Sequence, residues 1–438
     1  MQSPRTVDLR IDARWIVPVE PAGVLAEHAL IVDAGRIVAL ARSGDADRDY
    51  DARKRVALPD HVLIPGLVNA HTHSAMTLLR GVADDVPLKP WLEREIWPRE
   101  AEFVAPDFVH DGTLLGAAEM LRGGITCCND MYFYPDASAR AYEQSGMRAM
   151  IGMPILDFPT PYAADADAYI ARGLAARDAF KDAARLTFSL APHAPYTVSD
   201  ATWTTIVMFA RQLDLAIQTH VAETKTEVDD ARASTHETPL ARLDRLGATG
   251  PLFIAIHAVH LDGSDIDRLA KQRCHVVHCP GSNMKLASGV APIAALVSRG
   301  INVAVGTDGA ASNNRLDLFA EMRLASLLAK VTTGDAAAIP AATALRMATL
   351  NGAAALGLDD EIGSLEVGKQ ADVTAVRIAD VATLPMYDPI SHLLNAAGRE
   401  HVTDVWVAGD RIVDGGELTT IDVAALCSRA NAWQQRIA

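Results

Sequence analysis

Eight short apolar runs, separated by longer amphipathic stretches, decide what this chain can fold into. They are 63–73 (LIPGLVNAHTH), 124–131 (GITCCNDM), 148–155 (RAMIGMPI), 185–195 (RLTFSLAPHAP), 215–223 (LAIQTHVAE), 252–261 (LFIAIHAVHL), 275–283 (HVVHCPGSN) and 302–309 (NVAVGTDG). Stretches such as 106–122 and 200–213 between them are patterned as amphipathic helices. Continuous apolar strands alternating with helices specify a parallel sheet, and eight such units specify an α/β fold of the (β/α)8 barrel type. An open doubly wound sheet is the competing architecture, but no GxGxxG follows the first run. Half of the 438 residues are hydrophobic, enough for a large core.

The two ends read differently. Residues 28–40 (HALIVDAGRIVAL) and 402–413 (VTDVWVAGDRIV) are β-rich runs around a Gly-containing turn, each followed by Arg-Ile-Val. Both predict hairpins of one type. The expected organisation is a small β-sandwich domain built from residues 1–62 and 364–438, beside a barrel spanning 63–363.

Nearly every run ends in polar, chemically capable residues, and the carboxyl ends of barrel strands are where active sites sit. The first run ends in His71-Thr72-His73. Two histidines two apart on a strand face the same way. The fifth run ends in His220 and Glu223, the sixth in His257 and His260, the eighth in Asp308. Each has an ordinary alternative: a buried histidine that hydrogen-bonds locally, or an aspartate that caps a turn. His275 and His278 are read that way. The set gathered on one barrel face instead predicts a site for a divalent metal such as zinc. No HExxH is present, no Cys-x-x-Cys pair supports a cysteine zinc site, and no GxSxG marks a serine hydrolase elbow.

A formal net charge of -15 argues against a nucleic-acid or anionic-membrane surface. No apolar run is long enough to span a bilayer. Five sparse cysteines and a start without an apolar signal region lead to the expectation of a cytoplasmic protein.

The order HTH … H … H … D over these strands resembles the amidohydrolase superfamily. Within it, the chain resembles the deaminases of 5-methylthioadenosine and S-adenosylhomocysteine. The matching segments are PGLVNAHTHSAMTLLRG, GITCCNDMYFYP, APHAPYTVS, HVAET, HAVHL, HCPGSNMKLASGVAPI and VGTDGAASNNRLDLFAEMRLASLL, with IGSLEVGKQADV leading back into the small domain. The resemblance implies that His71, His73, His220 and Asp308 hold the metal. It implies that Glu223 carries a proton to the purine ring and that His260 hydrogen-bonds the attacking water, with His257 the alternative. Asp308 would also take the water's proton. Glu100 falls where the family places a carboxylate for the ribose hydroxyls, with Glu102 its neighbouring competitor. His193 falls where the family has a substrate-contacting imidazole. Two-metal relatives use a carboxylated lysine near the end of the fourth strand. Residues 185–197 contain none, so one divalent ion per chain is expected, zinc by preference over iron or manganese.

The activity so implied is hydrolytic deamination of an adenine nucleoside, a small-molecule substrate, with a homo-oligomer as an open expectation. Guanine deamination and triazine dechlorination on the same scaffold are the rival reactions. A catalytically silent barrel serving as a binding module is the rival of another class. The segments 80–96 and 156–165 are expected to surround the nucleoside's 5′ substituent.

Overall fold

The computed structural model describes residues 4–438. The chain opens with β1 (Arg5–Ile16), β2 (Leu25–Asp33), β3 (Arg36–Arg42) and the 16-residue β4 (Tyr50–Pro65). The eight apolar runs then form β5 (Leu67–Thr72), β6 (Ile125–Met131), β7 (Arg148–Ile155), β8 (Leu186–Pro192), β9 (Ile217–Val221), β10 (Phe253–His257), β11 (His275–His278) and β12 (Asn302–Val305). They pair in sequence order, all parallel, with helices between them. The chain ends with β13 (Val373–Arg377), β14 (Val402–Val407), β15 (Asp410–Asp414), β16 (Glu417–Leu418) and a helix over Val423–Ile437.

The parallel sheet closes on itself at the carboxyl ends of β5 and β12. The Asp308 amide donates to the His71 carbonyl at 3.0 Å. Asn69 Nδ2 donates to Thr307 Oγ1 at 2.8 Å, and the Thr307 amide returns a bond to Asn69 Oδ1 at 2.9 Å. Gly306 permits this approach, since a Cβ there would stand 2.8 Å from the His71 nitrogen. The inner faces of the strands stack in layers. Val68, Cys127, Met150, Ile254, Val277 and Ala304 form an apolar cluster with Ala353 and Ala355. Buried amides form a second layer. Asn129 Nδ2 donates to Gln218 Oε1 at 2.9 Å, while Gln218 Nε2 donates to Asn129 Oδ1 at 2.7 Å and Ser189 Oγ at 2.8 Å. These groups satisfy one another, as buried polar groups must.

The small β-domain is built from both chain ends, as one hydrogen-bonded sheet of order β16-β15-β14-β13-β4-β1-β2-β3. The ends join where β13 pairs antiparallel with β4, Val373 opposite Pro65. Alternation assigns its faces. Leu30, Val32 and Leu63 pack in its own core with Trp406, while Val62 and Ile64 join the cluster around the barrel. Both expected hairpins form. Their two-residue turns, Ala34-Gly35 and Ala408-Gly409, all have positive φ (49°, 74°, 49° and 82°), the geometry of a type I′ turn. The two turns touch: a Cβ on Gly35 would lie 2.6 Å from the Ala408 carbonyl oxygen. All five cysteines are free, and no helix of the described residues is long and apolar enough to cross a membrane.

A buried ion pair joins the two domains. Arg148, at the start of β7, places its guanidinium 3.2 Å from the carboxylate of Asp372, which precedes β13; their side chains are 5% and 1% exposed. Arg148 also donates to Gln370 Oε1 at 2.7 Å, and Asp372 accepts the Ala408 amide at 2.8 Å. Removing one member of such a pair strands the other, at a cost of about 3–5 kcal/mol. Arg148→Met is therefore expected to lower the denaturant midpoint by that equivalent. An unchanged midpoint would show that other contacts hold the domains together.

Candidate active site

The carboxyl ends of β5, β9 and β12 bring four donor atoms together. His220 Nε2 lies 3.3 Å from both His71 Nε2 and His73 Nε2. Asp308 Oδ1 lies 3.4 Å from His71 Nε2 and 3.3 Å from His73 Nε2. Four donors about 2.0–2.1 Å from one tetrahedral ion would stand about 3.4 Å apart. These four spacings fit that requirement, and two overlapping groups, His71 with His73 and Asp308 and His71 with His220 and His257, have ligand atoms close enough together to hold a divalent metal. Burial pushes His71 down to about 3 and His220 well below the usual histidine range, so both imidazoles stay neutral with a lone pair free. Burial alone would raise Asp308, but His71 and His73 beside it hold its carboxyl well below the ordinary value.

The surrounding chain aims these donors. His73 Nδ1 donates to the Met131 carbonyl at 2.5 Å and His220 Nδ1 to the His193 carbonyl at 2.7 Å, which leaves each Nε2 facing the cluster. Asp308 Oδ2 accepts from Ser282 Oγ at 2.6 Å and Ser312 Oγ at 2.8 Å; Oδ1 accepts the Gly309 amide at 2.8 Å. The short helices carrying those serines, Pro280–Lys285 and Ala310–Asn313, are pinned by the buried Glu321, which accepts from the Gly281 amide and from Asn313 Nδ2, both at 2.8 Å. Ala222, His257, Ala258 and Asp308 all have positive φ. Strained backbone is thus concentrated at the barrel mouth, where the surrounding contacts hold it.

Glu223 and His257 complete the base of the site. Both are buried, and His257 Nε2 lies 3.7 Å from Glu223 Oε2. Burial, with Asp308 nearby, pushes the Glu223 carboxyl up to about 8. Glu227 accepts the Ala222 and Glu223 amides at 2.9 and 2.8 Å and so fixes the turn that carries Glu223. His257 Nδ1 donates to Asn283 Oδ1 at 2.9 Å. The expectation for His260 is corrected here. After β10 the left-handed residues His257 and Ala258 turn the chain, so that His257 points into the site. The His260 amide bonds the Ala222 carbonyl at 2.9 Å and its ring bonds the Ser288 carbonyl at 2.6 Å, away from the cavity wall.

Above this base lies a cavity of about 290 Å³. Glu100 and His193 both line it, whereas Glu102 is exposed on the outer side of the Trp97–Phe103 helix. Tyr132 OH donates to Glu100 Oε1 at 2.7 Å. Burial pushes the Glu100 carboxyl up to about 7, against the opposing pull of that bond. Burial lowers His193 to about 4. The segments 80–96 and 156–165 supply wall residues, Trp91 and Phe158 among them. His275 bonds the Pro251 carbonyl and Asn302, outside the site, and His278 is buried on β11. Sequence reasoning did not single out Tyr132, Ser282, Ser312, Glu227 or Glu321. Tyr132 directly follows the end of β6, and that position was the one available signal.

Residues 62–412 match the amidohydrolase family. The 5-methylthioadenosine/S-adenosylhomocysteine deaminase of Teredinibacter turnerae is 44% identical over 100% of this chain and 99% of its own length. The 5'-deoxyadenosine deaminase of Methanothermobacter thermautotrophicus is 41% identical over 94% of this chain and 95% of its own. Among solved structures, an adenosine deaminase from Xanthomonas campestris with bound zinc has a TM-score of 0.98 at 50% identity, covering 99% of both chains. The atrazine chlorohydrolase of Arthrobacter aurescens shares the fold, with a TM-score of 0.91 at 22% identity over 97% of this chain and 99% of its own.

The two serines on Asp308 give a direct test of the donor set. Losing an outer hydrogen bond to a ligand typically weakens metal binding about 10–100-fold. Ser282→Ala is expected to do so in chelator competition, with the fold intact by circular dichroism. Unchanged metal affinity would show that Asp308 is not held for a metal.

Proposed function

The chain belongs to the amidohydrolase family, and from that membership we propose that it is a zinc-dependent hydrolytic deaminase of adenine nucleosides, with one ion per chain. The observation that supports this best is a pair of carboxyls on one cleft. Glu223 lies beside the donor set, and Glu100 is held higher on the wall by Tyr132. A nucleoside needs both: a proton donor at its ring and an acceptor for vicinal hydroxyls.

His71, His73, His220 and Asp308 would hold the ion, which when bound polarises water and lowers its pKa. The substrate lies with C6 of its ring toward that end of the cleft. Asp308 accepts a proton from the attacking water. Glu223, protonated at neutral pH, donates to ring N1 as C6 becomes tetrahedral, which relieves the charge that attack would place there. His257 Nε2 faces the attacking oxygen, in the role expected of His260. Asp308 passes its proton to the amine, the C6–N bond breaks, and ammonia leaves. The hydroxyl proton returns to Glu223 as the 6-oxopurine forms. His193 contacts the ring, and the Glu100 carboxylate accepts from the ribose hydroxyls.

Ammonia release from zinc-loaded protein tests this. Adenosine-type nucleosides are expected to turn over, and guanine and chlorotriazines are not. Glu223→Gln is expected to keep its metal and lose about 10²–10⁴-fold in kcat. Release from guanine or triazines alone would assign a different reaction, and metal loss in the variant would make Glu223 a ligand.

The two raised carboxyls predict a bell-shaped kcat/KM. Glu100 works as the anion, so activity rises with pH through about 7 as its proton leaves. Glu223 works as the acid, so activity falls with pH above about 8. Glu100→Gln is expected to remove the acid limb and to lower kcat/KM about 10–100-fold, in line with a lost charged hydrogen bond of about 1.5–3 kcal/mol. An acid limb that survives this substitution would assign it to another group.

A further inference from the structure

The cleft wall is chemically one-sided. Every acid it carries belongs to the machinery above: Glu100, Glu223 and Asp308. Among the described residues, no lysine or arginine lines it. Its histidines lie toward the base. His73, His193 and His257 each stand within 5.1–5.5 Å of His220, ring centre to ring centre. Away from the base the wall is mostly apolar, with Leu88, Trp91, Leu92, Trp97, Phe158 and Pro161, and the hydroxyls that join them, on Thr160, Tyr162 and Tyr196, carry no charge. Of the cations in the flanking segments, Lys89 and Arg94 are exposed and lie outside the cleft lining, and three others are engaged elsewhere. Arg99 is paired with Glu95 at 2.9 Å, Lys285 with Asp84 at 2.7 Å, and Arg172 lies 5.6 Å over the Tyr162 ring.

A nucleoside held at C6 by the base and at its ribose by Glu100 must direct its 5′ arm along this apolar wall. We infer that the cleft selects adenine nucleosides with an uncharged apolar 5′ substituent over those whose arm ends in an ammonium and a carboxylate. The inference rests on the deaminase reading above. A thioether methyl gains by leaving water for Trp and Leu surfaces. An arm carrying a carboxylate finds no cation here, and its ammonium finds no acid the ribose and the ring have not already engaged. Charged groups desolvated without a partner cost more than any polar contact of the arm returns.

Three substrates separate charge from length: methylthioadenosine, S-adenosylhomocysteine and 5′-butylthioadenosine, whose arm matches homocysteine in length. By ammonia release, methylthioadenosine and the butyl analogue are expected to agree within about tenfold in kcat/KM, with S-adenosylhomocysteine about 100-fold lower. Phe158→Arg, at the 37% exposed rim position, is expected to raise S-adenosylhomocysteine relative to methylthioadenosine about tenfold, while Phe158→Leu is not. Equal rates for methylthioadenosine and S-adenosylhomocysteine would overturn the inference. So would equal losses for both long arms, since length would then decide. No ammonia from any of the three would overturn the deaminase reading itself, and the selectivity with it.

Discussion

The hydrogen bonds between the first and last barrel strands hold together more than a sheet. Asn69 and Thr307 exchange two bonds, and the Asp308 amide reaches the His71 carbonyl. Only this closure sets His71 of β5, and His73 just beyond it, beside an aspartate more than two hundred positions later. His220 reaches the same point from β9, where Gln218 and His220 share the inward face. The donor set is therefore a product of the whole barrel, not of a local motif. The buried amide layer of Asn129, Gln218 and Ser189 serves the same end, because a fully matched polar layer fixes one arrangement of the strands above it.

Burial then sets the chemistry. It keeps imidazoles neutral, which leaves lone pairs for a metal, and it raises carboxyls, which leaves protons available for transfer. In the reaction proposed above, that one physical cause suits Glu223 and Glu100 to opposite duties. Glu223 is more buried and has one negative neighbour, Asp308, whereas Glu100 receives a hydroxyl bond that favours its anion. Above them the cleft turns apolar. In that proposed reaction, the two carboxyls at fixed points supply orientation, and surface removed from water supplies affinity.

Much of this was legible in the sequence. Continuous apolar runs give all eight barrel strands, because strands buried on both faces need no alternation. The two Gly-turn segments give both hairpins. His71 and His73 were found partly for the wrong reason. Simple alternation does not describe them, since the β5–β6 register shifts between Asn69 and Thr72 and His73 lies beyond the strand, at φ -123° and ψ 77°. The choice of His260 over His257 failed on backbone geometry that a sequence of ordinary residues conceals, a positive φ at two non-glycine positions. Tyr132, Ser282 and Ser312 escaped because a hydroxyl that orients another group looks, in one sequence, like any loop residue.

The meeting of the two hairpin tips has a consequence for how the chain is made. Strand β4 lacks its second neighbour until β13 exists, and Gly35 lacks the Ala408 carbonyl it packs against. During synthesis the first four strands emerge with an open edge and wait while the entire barrel is produced. Their apolar faces, Leu30 and Val32 on one side and Val62 and Ile64 on the other, stay without their final cover for that interval. The small domain is thus the last part of the molecule to finish although it is the first to appear. Growing chains are most vulnerable to wrong pairing in that window, well before the barrel can be sealed.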